Sequence, residues 1–106
     1  MVSKLEFLVT IPDHPNVLEK RLATRPVHLE NLARDKVVMG GALLAKQIKG
    51  EEGEVPQMVG SIALVKADTE EEVLELLRGD PYNKAGVWDL SKAEIRPFIS
   101  GVRTAM

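Results

Sequence analysis

Four apolar runs of strand length punctuate the chain, and what separates them differs: a helical stretch, a polar loop, then a second helical stretch. That order, β-α-β-β-α-β, narrows the available folds more than any other feature. It is the split α+β arrangement of ferredoxin-like folds, a four-stranded antiparallel sheet with two helices on one face. The first run, Leu5 to Ile11, stops at Pro12-Asp13-His14-Pro15, where two prolines cannot continue a ladder. Asn16 is placed to cap the next segment, in which Val17, Leu18, Leu22, Leu29, Leu32 and Ala33 recur at helical spacing. Pro26 lies inside that segment, which predicts a helix in two pieces, breaking near Thr24.

The second run, Lys36 to Leu44, carries Gly40-Gly41 at its centre, so a bulge or a close approach by backbone or ligand is expected there. Residues 45–57, AKQIKGEEGEVPQ, have the composition of an exposed, flexible loop. Met58 to Ala67 reads as the third strand. Thr69 and Glu72 have capping-box spacing, Val73, Leu74, Leu76 and Leu77 supply the buried face of the helix they open, and Gly79 ends it. Asp80-Pro81 then opens a short turn, with Asp at the cap and Pro at the first helical position, where its missing N–H costs nothing. A fourth strand is expected from near Val87 to Phe98, with a bulge near Ser91.

A chain of 106 residues, 44% of them hydrophobic, is sized for one domain over residues 1–106. Two helices cover only one face of such a sheet, so a homodimer is expected on the other. The absence of cysteine excludes disulfides, thiolate metal sites and thiol nucleophiles. A net charge of −2 with scattered Lys and Arg, and only four aromatic residues, disfavour nucleic acid as a partner. No apolar stretch approaches the roughly 20 residues that cross a bilayer, and MVSKLEFLVTIPDH lacks the long apolar region of a signal peptide. A soluble, cytoplasmic protein without membrane contact is expected.

The residues that could carry chemistry are few. At 100° per residue, Arg25, His28, Leu29 and Leu32 share one side of the first helix. A histidine on an apolar face either packs with its ring nitrogens satisfied or, oriented by a carboxylate, moves protons. Asp80 is the carboxylate available, although the local pattern by itself favours a plain cap that accepts one backbone N–H. Ser61 sits mid-strand without the turn of a nucleophile elbow, so it is read as a hydroxyl that orients a ligand. Gly40 and Gly41 lack the helix that a phosphate-binding loop requires, and are read as points of close approach to backbone or ligand. Tyr82 and Trp88 are read either as pocket wall or as core or interface. His14, between prolines, is read as a surface-loop residue, and two histidines without H-x-x-x-H spacing argue against a metal site.

The segments LEKRLATRPVHLENL (18–32), GGALL (40–44), VGSIALV (59–65), DPYNKAGVW (80–88) and RPF (96–98) resemble the YCII-related (YciI-like) family in order and spacing. The resemblance covers nearly the whole chain. It implies a ferredoxin-like fold closing a dimeric α+β barrel, no metal, no organic cofactor, and a His–Asp catalytic dyad, which here falls on His28 and Asp80 with Arg25 beside the histidine. The segment between AGVW and RPF is about two residues longer than the usual family form, and the 45–57 loop is rich in glutamate. The resulting expectation is a cofactor-independent enzyme acting on a small cyclic or phenolic molecule by elimination or isomerisation. His28 would move the proton, Asp80 would hold its ring, and Arg25, Gly40, Gly41, Ser61 and Tyr82 would contact substrate. The rival expectation is a ligand-binding or accessory homodimer in which the His–Asp pair is structural.

Overall fold

The computed structural model describes residues 5–104. Strands β1 (Glu6–Pro12), β2 (Val37–Leu44), β3 (Met58–Lys66) and β4 (Glu94–Phe98) form one sheet in the order β2-β3-β1-β4, with every neighbouring pair antiparallel. Helices α1 (Leu18–Glu30), α2 (Glu70–Arg78) and the single turn α3 (Pro81–Lys84) lie on one side of it. This is the ferredoxin-like α+β fold that the order of apolar runs predicts. The register of β1 on β3, with Phe7 opposite Val65 and Val9 opposite Ala63, aligns the apolar residues that point toward the helices. Phe7, Val9, Ile11 and Val65 pack there with Val73 and Leu77 of α2 and with Tyr82, Val87 and Trp88. The intervening positions Leu8, Thr10, Ile62 and Leu64 point to the opposite face.

Helix α1 departs from expectation in three ways. It is continuous, with Pro26 inside it rather than at a break. The carbonyl of Leu22, which would have accepted the missing N–H, belongs to an exposed residue open to water. The helix is also tied to the rest of the fold on both sides of the proline, through Arg21 and His28. Second, Val17 rather than Asn16 occupies the N-cap, and Asn16 takes a left-handed turn with φ 60°. Third, Leu22 and Leu29 are exposed, and the buried residue of α1 is Arg21. The side of α1 that meets the sheet is therefore polar.

Elsewhere the local grammar holds. Thr69 caps α2 through a bond from the Glu72 amide (3.2 Å), and the Glu72 carboxylate accepts from the amide of Asp68 rather than Thr69 (3.1 Å). The irregularities of β2 flank Gly40-Gly41 instead of coinciding with them: the register shifts between Val37 and Met39 and again between Leu43 and Leu44. Close backbone approach belongs to Gly60, where a Cβ would lie 2.7 Å from the Ile11 carbonyl oxygen; at Gly41 it would meet nothing within 4 Å. The fourth strand is shorter than its pattern suggests. Val87 and Trp88 enter the core, a 3-10 turn at Leu90–Lys92, capped by Asp89, stands where a bulge near Ser91 was expected, and β4 begins only at Glu94. The loop from 45 to 57 is organised by Glu54, whose carboxylate accepts from the amides of Lys49, Gly50 and Glu51.

Candidate active site

Because β2 is the edge strand and most of it is exposed, the sheet extends past the helices and leaves a cleft between α1, α3 and β2. The cleft has a volume of about 550 Å³, within the range of small-ligand sites. Four elements deliver its polar groups. Arg21, Arg25 and His28 come from α1 at positions i, i+4 and i+7, Ser61 from β3, Asp80 and Tyr82 from α3, and Trp88 from the segment after it.

His28 Nδ1 lies 2.9 Å from Asp80 Oδ1, with both side chains largely buried. The same carboxylate oxygen accepts the Tyr82 amide at 2.8 Å, so Asp80 caps α3 and holds the histidine at once. An acceptor in that position leaves Nδ1 as the donor, which makes Nε2 of a neutral ring the acceptor nitrogen. The Tyr82 ring stacks on the imidazole with centroids 4.2 Å apart and planes inclined by 23°, and Trp88 meets it edge-on at 6.2 Å. The ring of His28 is thus fixed by a hydrogen bond in its plane and by an aromatic face against it.

Beneath this pair lies a second network. Arg21 Nη1 donates to both oxygens of Asp13 (2.8 and 3.0 Å), and its Nη2 donates to Ser61 Oγ at 2.8 Å. Trp88 Nε1 donates to the same Oγ at 3.0 Å. The Arg21 guanidinium carbon stands 4.7 Å from the centroid of the Tyr82 ring, a cation–π contact that links the two networks. Arg21 Nε is the one buried side-chain polar atom without a partner among the described residues. Burial raises the Asp13 carboxyl above its usual range, against the pull of Arg21 and His14. Burial likewise raises the Tyr82 hydroxyl, although Arg21 and Arg25 draw it down. An apolar filling of the same space is often as stable as a buried ion pair or more so, and stability alone does not account for an ion pair with an orphan donor here.

Of the residues singled out from sequence, His28, Asp80, Ser61, Tyr82 and Arg25 converge on this cleft, and Gly40 and Gly41 lie along its β2 wall. Tyr82 and Trp88 are both core and wall, being 3% and 5% exposed while lining the cleft. Leu29 and Leu32 line the cleft rather than pack in a core. His14 is an exposed residue of a separate depression, and no metal-holding cluster of His, Asp or Glu occurs among the described residues. Arg21 and Asp13 were missed. The available signal was the spacing of Arg21 from Arg25 and His28, which places all three on one stripe of α1; the partner, Asp13 in the proline turn, has no local signature.

Residues 5–99 match the YCII-related domain. The chain belongs to the YCII-related family. Among similar curated members, fusaric acid biosynthesis protein 2 of Gibberella fujikuroi is 37% identical over 99 residues, covering 90% of this chain and 93% of that protein. The derivative of benzaldehyde biosynthesis cluster protein C of Emericella nidulans is 40% identical, over 81% of this chain and 91% of its own length. The aspercryptin biosynthesis cluster protein B of the same organism is 35% identical over 92% of this chain, which spans 65% of that longer protein. A solved YCII-like structure, the 5-chloro-2-hydroxyhydroquinone dehydrochlorinase of Burkholderia phenoliruptrix in complex with 2,5-dihydroxybenzoquinone, superposes with a TM-score of 0.75. It is 26% identical, over 91% of this chain and 95% of its own. The fold and the family's small-molecule setting agree with a ligand-sized cleft.

Proposed function

We propose that this YCII-related chain is a cofactor-independent enzyme that uses His28 and Asp80 for proton transfer in an elimination or isomerisation on a cyclic or phenolic substrate. The observation that carries the reading is the bond from His28 Nδ1 to Asp80, which directs basicity to Nε2 on a residue lining the cleft. Nε2 takes a proton from the substrate, and the imidazolium that forms is paired with the Asp80 carboxylate at 2.9 Å. In an isomerisation that proton returns to another substrate atom. In an elimination it is lost to solvent while the leaving group departs with its electron pair. Arg25, Tyr82, Ser61 and the backbone at Gly40 and Gly41 position the ring. A dehydrochlorinase of the same fold acts on a hydroquinone, and this supports the substrate class. The protein works in the cytoplasm as a homodimer; the sheet face opposite the helices, with Met39, Leu43 and Phe98 exposed on it, supports the second copy.

The test is turnover of a panel of chlorinated and unsubstituted quinols and lactones, followed by absorbance and by chloride release. His28→Ala should reduce the rate of any substrate found by about 10²-fold or more while the chain stays folded. A rate equal to wild type would overturn the proposal. Asp80 also caps α3, which favours a structural pair as the second reading; that reading is upheld if His28→Ala unfolds the chain and no panel compound is turned over.

A further inference from the structure

Ser61 is wired so that its hydroxyl can serve a ligand in only one sense. A serine oxygen has two acceptor positions and one proton. Both partners of Ser61 Oγ in the structure, Arg21 Nη2 at 2.8 Å and Trp88 Nε1 at 3.0 Å, are groups that can only donate. The two acceptor positions are therefore filled. The proton remains, and among the described residues no group accepts it. Ser61 is 7% exposed and lines the cleft, so an acceptor for that proton has to come from the cleft itself. A buried polar proton without an acceptor is costly, and a cationic donor on the same oxygen polarises the O–H bond and strengthens what it can donate.

We infer that Ser61, committed by Arg21 and Trp88 to act as donor, selects ligands that present a carbonyl or deprotonated hydroxyl oxygen to β3. The inference rests on the reading of this cleft as a small-molecule site and names the chemical class it takes: a planar compound with an acceptor-only oxygen, a quinone or an ionised phenol, in preference to one offering an N–H at the same point. Arg21 is itself paired with Asp13, so what favours an acceptor oxygen here is the donor commitment of Ser61 rather than a net positive charge.

The experiment is a calorimetric titration of the intact protein with 2,5-dihydroxybenzoquinone, whose oxygens are carbonyls and acidic enols. Wild type should bind, Ser61→Ala should bind about 10- to 100-fold more weakly, the range expected for loss of a hydrogen bond to a charged acceptor, and Ser61→Thr, which keeps the hydroxyl, should retain most of the affinity. Ser61→Cys fills the same space with a weak donor and should show the same loss as alanine, which keeps the test decisive if Ser61→Ala does not fold. Equal affinity of wild type and a folded Ser61→Ala or Ser61→Cys would overturn this inference and leave the proposed function standing. A wild-type protein that does not bind the quinone at millimolar concentration would also overturn this inference, while the proposed function stands or falls on the turnover panel.

Discussion

The Arg21–Asp13 pair offers a quantitative test of how the site is held. Its side chains are 4% and 3% exposed, and removing one partner strands the other's charge in the interior. Arg21→Met or Asp13→Leu alone should therefore cost about 3–5 kcal/mol. For a domain of this size that corresponds to a fall in melting midpoint on the order of 20 °C. Replacing both should cost less than either single change, because burial opposes the charged state of Asp13 more strongly than Arg21 favours it. The pH dependence follows from the same direction. A carboxyl raised in the folded state contributes most below its unfolded value, near 3.8, and that contribution is lost as the pH climbs through the raised folded value. Wild type should thus lose stability relative to Asp13→Asn over that rise. Urea unfolding of the four members of the cycle and of Asp13→Asn, at pH 7 and at pH 4, measures both effects. A double variant as unstable as the sum of its singles would refute the argument that the two residues act as one buried unit.

Gly60→Ala should destabilise by about 1–3 kcal/mol, because its Cβ would sit 2.7 Å from the Ile11 carbonyl oxygen, whereas Gly41→Ala, with nothing within 4 Å, should be neutral or stabilising; equal melting midpoints for the two would contradict the packing argument. The Glu54 carboxyl is held below its usual value, first by the Lys49 amide and then by those of Gly50 and Glu51, so the order it confers on the 45–57 loop is present above pH 4.5 and lost as the pH falls through the depressed value. The amide resonances of Lys49 and Gly50 should shift over that acid range in wild type and not in Glu54→Gln, and a wild-type spectrum that stays constant would refute the assignment.

Much of this architecture can be read from local pattern. Apolar runs of strand length, the Thr69 and Asp80 caps and the loop composition of 45–57 are short-range signals, each settled by a few neighbouring residues, and together they specify the ferredoxin-like order. Residues that share a stripe of one helix, such as Arg25 and His28, are likewise visible. Apart from the His28–Asp80 pairing, which the family resemblance supplied, what failed was anything requiring knowledge of a neighbour far along the chain. Pro26 argued for a broken helix, yet the contacts of Arg21 and His28 on either side of it hold α1 together. Leu22 and Leu29 argued for an apolar inner face, yet the sheet meets α1 through a buried arginine. Val87 and Trp88 read as strand, and the fold used them to close α3 against β1, through Trp88 bridging Asp13.

By itself, then, the sequence determined the order of elements and the one-sided sheet, because periodicity and capping are encoded within a few residues of one another; the pairing of His28 with Asp80, 52 residues away, came from the resemblance to the YCII-related family. Only the tertiary structure decided that Arg21, Asp13, Ser61 and Trp88 form one network beneath that pair. Their contacts span 8, 27 and 40 residues, and what selects them is the cost of leaving a buried charge or donor unpaired, a cost that exists only once the sheet and helices have closed around them.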